Sequence, residues 1–112
     1  MKLGVIRNYA LSLPETTEEP HHQFSSYRVR KKIFVTIPPE EDRIHAFVTE
    51  HCREQALALY ADFVEKLHWG GKVVGIKIIL QRANASAVKD LVLEAWKHKA
   101  PKALLAGLKT VK

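Results

Sequence analysis

Val88, Leu91, Val92, Ala95 and Trp96 recur at three- and four-residue intervals, which place side chains on one face of a helix. The pattern predicts a helix from Ser86, as its N-cap, to about Ala100. Lys97 and Lys99 fall in its last turn, where positive charge suits the helix dipole, and Pro101 disfavours the helical region at Ala100. A short helix from Lys102 to Leu108 is expected to follow. Leu3, Ile6, Ala10 and Leu13 predict a first helix closed by Pro14, and Ala56, Leu59, Tyr60 and Phe63 a middle one opened by Thr49-Glu50.

Between these helices the period becomes two. Phe24 to Arg30 reads as a strand with Tyr27 and Val29 on one face. Lys32 to Ile37 puts Ile33, Val35 and Ile37 together and Phe34 and Thr36 opposite, with Lys31-Lys32 at the hairpin turn. Arg43 to Thr49 groups Ile44, Ala46 and Val48. Val64 to Trp69 is a short strand, Gly70-Gly71 a tight turn, and Val73 to Leu80 a β-branched, buried strand. Glu15 to His22, Pro38 to Asp42 and Arg82 to Ala85 read as loops.

The order is α-β-β-β-α-β-β-α. It predicts an α+β fold: a two-layer sandwich whose mostly antiparallel five-stranded sheet carries helices on one face. At 112 residues, with 46% apolar and 27% charged, the chain fits a single domain over residues 1–112 with a core of its own. A lone cysteine, Cys52, excludes an intrachain disulfide and suits the cytoplasm. No apolar run approaches the roughly 20 residues of a membrane span.

The net charge of +6 is lopsided. Residues 1–50 hold 7 Lys/Arg against 7 Asp/Glu, and residues 51–112 hold 11 against 5. A basic half attracts DNA or another polyanion, and equally serves as a solvated surface. Chemistry is sparse. Gly70-Gly71-Lys72 lacks the spacing of a phosphate loop. His51 and Cys52 are neighbours on a helix, pointing about 100° apart, and do not form a pair. The six histidines follow no zinc spacing, and Glu18-Glu19 and Glu40-Glu41-Asp42 sit in turns beside prolines. No catalytic residue, metal ligand or cofactor site is nominated. What remains is a set of basic and aromatic positions around the hairpins: Arg28, Arg30, Lys31 and Lys32 at the first, Trp69 and Lys72 at the second, with Lys77 further along. Cations neutralise phosphates and an aromatic at a tip can stack on a base, while lysines on strand edges also guard against aggregation.

Several pieces in sequence resemble the MmcQ/YjbR-like family of small bacterial proteins over about residues 5 to 105. They are Ala10-Leu11-Ser12-Leu13-Pro14-Glu15, Thr17 to His21, Tyr27-Arg28-Val29, Lys32-Ile33-Phe34-Val35, His68-Trp69-Gly70-Gly71-Lys72, Glu94-Ala95-Trp96 and Ala100-Pro101-Lys102-Ala103-Leu104. The resemblance implies a CyaY-like α/β sandwich, similar also to secretion chaperones. It implies hairpins like a "double wing", the basis of a proposed DNA-binding role, and no catalytic residue. Val73-Val74 stands where the family usually has Gly-Trp. The acidic ridge of frataxin-like iron binders is reduced to Glu15, Glu18 and Glu19, so no iron binding is expected.

Three function classes follow. The first is a non-enzymatic DNA-binding module using two basic wings. The second is a protein-interaction or homodimerising module, suggested by Phe34 and Phe47 opposite the other apolar strand positions. An enzyme ranks last.

Overall fold

The computed structural model describes residues 1–110, so the last two positions of the expected domain lie outside the described residues. Six strands form one sheet: β1 (Thr16–His21), β2 (Phe24–Val29), β3 (Lys32–Ile37), β4 (Arg43–Ala46), β5 (Val64–Trp69) and β6 (Lys72–Ile79). Their order is β1-β2-β3-β4-β6-β5, and every pair is antiparallel. The helices are α1 (Leu3–Ser12), α2 (Glu50–Leu59), α3 (Ala85–Lys99) and α4 (Lys102–Thr110).

The sixth strand corrects the expected five. Glu15 to His22 is no loop: Thr16 to His21 pairs along all of β2. Pro20 and the carboxylates of Glu18 and Glu19 disguise it in the sequence. An edge strand tolerates both, because one side of its backbone has no neighbour to donate to.

The core forms where α1, α2 and α3 bury Ile6, Ala10, Ala56, Val88, Leu91, Val92, Ala95 and Trp96 with Tyr27, Val35, Ile44, Ala46, Val64, Ile76 and Ile78 of the sheet. The register Tyr27↔Val35↔Ala46↔Ile76 places these strand residues on one face. Trp96 is fully buried and donates its Nε1–H to the Pro14 carbonyl at 3.1 Å, tying α3 to the α1–β1 connection.

Phe34 and Ile33 exchange their expected places. Tyr27 pairs with Val35 and Arg28 with Ile33, so Phe34 is an extra residue in a β-bulge. The bulge turns Phe34 into the core beside Val35 and sends Ile33 to the opposite side. A second bulge, between Leu67↔Gly75 and His68↔Val73, leaves Val74 unpaired on β6. At Gly75 an added Cβ would meet the Ala46 carbonyl oxygen, so only glycine permits this approach of β6 to β4.

Boundaries also move. The cap of α3 is Asn84, whose Oδ1 accepts from the Ala87 N–H at 2.9 Å, and Ser86 lies inside the first turn. A 3-10 turn, Leu80–Arg82, replaces the end of the last strand and part of the following loop. β4 stops at Ala46 instead of Thr49, and Thr49 caps α2 by accepting from Cys52. Helix α2 ends at Leu59, which is 71% exposed, so Leu59 leaves the expected apolar face while Phe63 is buried from the turn beyond.

Candidate nucleic-acid interface

The two basic hairpins emerge at the same end of the sheet. β2 runs into the first tip and β5 into the second, and the antiparallel ladder through β3, β4 and β6 makes β2, β4 and β5 co-directional. Three strand intervals separate the hairpin axes, about 14 Å at the usual spacing. Sheet twist accumulates to about 60–75° over that distance and splays the hairpins.

Both tips are two-residue turns built differently. Gly70 and Gly71 adopt φ of +57° and +82°, which glycine reaches without strain. Arg30 and Lys31 adopt +46° and +73° with full side chains, a costly choice for residues with a Cβ. The turn therefore lies one residue earlier than expected, and Lys32 opens β3.

The predicted site residues divide into two groups. Arg28 and Arg30 are engaged. Arg28 donates to Ser26 Oγ at 3.0 Å and to the Pro20 carbonyl at 3.2 Å, bracing β1 against β2. Arg30 donates to both carboxylate oxygens of Glu15, at 2.8 and 3.1 Å, and holds that carboxyl below its usual range. Lys31, Lys32 and Lys72 are exposed and, among the described residues, make no ion pair. Trp69 is 46% exposed, and its ring meets Phe47 edge-on, centroids 5.2 Å apart. Lys77, on the strand body, is paired with Glu65 at 3.6 Å.

On the side opposite the core, the register Ser26↔Thr36↔His45↔Lys77↔Glu65 runs a polar row across the sheet. Ser26 donates to the Glu19 carbonyl at 2.7 Å, and Thr36 Oγ1 lies 3.3 Å from His45 Nδ1. Burial first, then Arg43 and Lys77, lower the His45 pKa. Beside this row lie two adjoining cavities of about 450 and 440 Å³ that share His21, Thr36 and Trp69. Ile33, Phe47, Val74 and Lys99 complete one; His22, Phe24, His68 and Gly70 complete the other. Neither is lined by a carboxylate.

Sequence reasoning missed this groove. Histidines far apart in the chain meet here, since His21 and His68, on the two edge strands, line the same cavity. Among the described residues, no group of three or more His, Cys, Asp or Glu could hold a metal ion. Lys99 arrives because the Trp96–Pro14 bond holds the end of α3 near the tips. The one detectable signal was the apolar character of Phe47, on a strand whose opposite face is also apolar; its expected companion Phe34 lies in the core instead.

A larger cleft of about 750 Å³ lies between α1 and the β1–β2 hairpin, lined by Arg7, Glu18, Glu19, Tyr27 and Glu41 among others. Arg7 is bound to Glu18 at 2.6 Å there. Cys52 lies elsewhere: burial first, then Glu94, raise its thiol pKa, which makes it a poor nucleophile. No described helix is long and apolar enough to cross a membrane.

The fold has a solved counterpart. The crystal structure of the Deinococcus radiodurans protein DR2400, with a domain of the family DUF419, is similar with a TM-score of 0.71 at 14% identity; the match covers 85% of this chain and 75% of that one. No curated protein matches the chain. The family model YjbR matches residues 11–98. An α+β chain with an antiparallel sheet, matched over most of its length, belongs to the YjbR family.

Proposed function

We propose that this protein is a non-enzymatic DNA-binding module that grips phosphates with two basic hairpin wings. The reading takes the molecule as two layers, with helices on the core side and the other sheet face open. The observation that carries it is the emergence of both tips at one end of the sheet, with Lys31, Lys32 and Lys72 free of carboxylate partners among the described residues. A polyanion laid across that end meets cations from both hairpins at once. Arg28 and Arg30 serve the reading as braces for the first wing rather than as phosphate ligands. A cytoplasmic site of action suits the free thiol.

Because phosphate contacts release counterions, affinity falls steeply with salt. Fluorescence anisotropy with labelled DNA at several salt concentrations tests this. Replacing Lys31, Lys32 and Lys72 by alanine is expected to lower affinity at every sequence and to flatten the salt slope by about one per lysine removed. Binding no tighter than that of an unrelated protein of equal charge, or indifference to the three substitutions, overturns the reading. A second reading, a homodimerising or protein-interaction module similar to secretion chaperones, rests on the exposed Trp69 beside Phe47. Light scattering separates it, since it requires a dimer or a stable complex without nucleic acid.

A further inference from the structure

We infer that the groove on the open face of the sheet receives unpaired bases, so that the preferred ligand is single-stranded nucleic acid. The inference rests on the DNA-binding reading above and names the form of its ligand.

Three observations converge. The first is the aromatic platform. Trp69 leaves nearly half its surface to solvent, yet Phe47 fixes its ring from one side. A ring already held in place loses little freedom when a base stacks on it. Phe24, His21 and His68 supply further planar side chains around the same space. The second is shape. Each cavity, at about 450 and 440 Å³, lies in the size range of small-ligand sites of roughly 300–1,000 Å³. Both are open, so a planar ring can enter from solvent. A duplex keeps its base faces stacked inside, and a side chain reaches them only at the energetic cost of unstacking a step, whereas a single strand can splay them out.

The third is charge. Lys99 lines the groove, Lys32 and Lys72 begin the strands that border it, and among the described residues these two make no ion pair and no carboxylate lines either cavity. The 750 Å³ cleft makes the contrast, since Glu18, Glu19 and Glu41 line it. Compared with that cleft, the aromatic groove is therefore the one that accepts a phosphate backbone alongside. Stacking on any base face is indifferent to sequence, so the groove reads unpaired bases as a class.

The experiment uses the whole chain, a 12-nucleotide oligothymidylate and a 12-base-pair duplex, followed by tryptophan emission and by anisotropy. Trp96 is fully buried, so a quench on binding reports Trp69. The single strand is expected to quench the emission and to bind at least tenfold more tightly than the duplex. Trp69→Ala is expected to weaken single-strand binding about 10- to 100-fold, the size of one base–aromatic stack, and so to erase most of the preference for the single strand over the duplex. Trp69→Phe, which keeps a stacking ring, should recover much of the loss, and a thermal melt of each variant reports folding. Equal affinity for both ligands with no effect of Trp69→Ala overturns this inference and leaves the winged DNA-binding reading standing. Failure to bind either ligand at low salt overturns both. A dimer in which Trp69 is shielded from a soluble quencher overturns the inference in favour of a second copy of the chain in the groove.

Discussion

On β4, Ile44 and Ala46 point into a core covered by helices, while His45 between them lies on the other side with Thr36 and Phe24. One strand therefore serves two different regions of the molecule. The core side is closed by α1, α2 and α3, and its largest residues have no exposed surface. On the opposite side Ser26, Thr36 and His45 are buried by one another and by ring neighbours, with Trp69 and Phe24 still in reach of solvent. The same degree of burial thus has two sources: packing of helices on strands, which is mostly apolar, and crowding within a surface, which admits polar groups whose hydrogen bonds are satisfied. The first source carries stability and the second leaves room for a ligand.

The two tryptophans give the sharpest test of that contrast. Trp96→Ala removes a fully buried ring and its bond to Pro14, and is expected to cost about 3–5 kcal/mol in urea unfolding. Trp69→Ala, at a half-exposed ring, should cost less, about 1–2 kcal/mol. Equal costs would erase the distinction between the two faces.

A smaller effect is expected from pH. Burial lowers the His45 pKa, so between its ordinary value near 6.5 and its folded value the unfolded chain binds more protons than the folded one. Stability then falls as pH drops below about 6.5 and levels off once the folded pKa is passed. His45→Gln, which retains a hydrogen-bonding group toward Thr36, should remove that part of the slope in melts between pH 5 and 8. An unchanged slope would mean that the open face is wetter than its burial indicates.

The smallest effect concerns the tips. Lys31→Gly relieves a side chain held at φ +73° and should stabilise the fold by about 0.5–1 kcal/mol, measured by chemical denaturation. The same change removes a wing cation, so DNA affinity should fall while stability rises. A loss of stability would place the strain of the first tip elsewhere.

Much of the core was legible in the sequence because its signals are local and repeated. The stripe from Val88 to Trp96 keeps one period over several residues, and β6 is marked by its β-branched composition. β1 was hidden because its proline and carboxylates contradict strand propensity, and only its pairing with β2 makes it a strand. The bulge at Phe34 breaks an alternation that the sequence presents as unbroken, because the extra residue is defined by the partner strand. Asn84 and Ser86 are both competent caps, and the choice falls to the reach of Asn84 Oδ1 to Ala87. The tip residues Lys31, Lys72 and Trp69 were legible from turn chemistry. Ile33, His21, His68 and Lys99 were not, since their meeting depends on register and on where α3 ends.

The spacing between the tips has a consequence for length. Two tight turns on one continuous sheet make a ruler with fixed marks, unlike cations on flexible tails, which adjust to any target. At about 3.4 Å per phosphate along one strand of a duplex, the interval of about 14 Å where the hairpins leave the sheet corresponds to roughly four phosphates, and their splay makes that the lower bound for the tips. A chain of one or two nucleotides can touch one mark only. Affinity should then climb in a step, not a ramp, as an oligonucleotide grows long enough to reach the second.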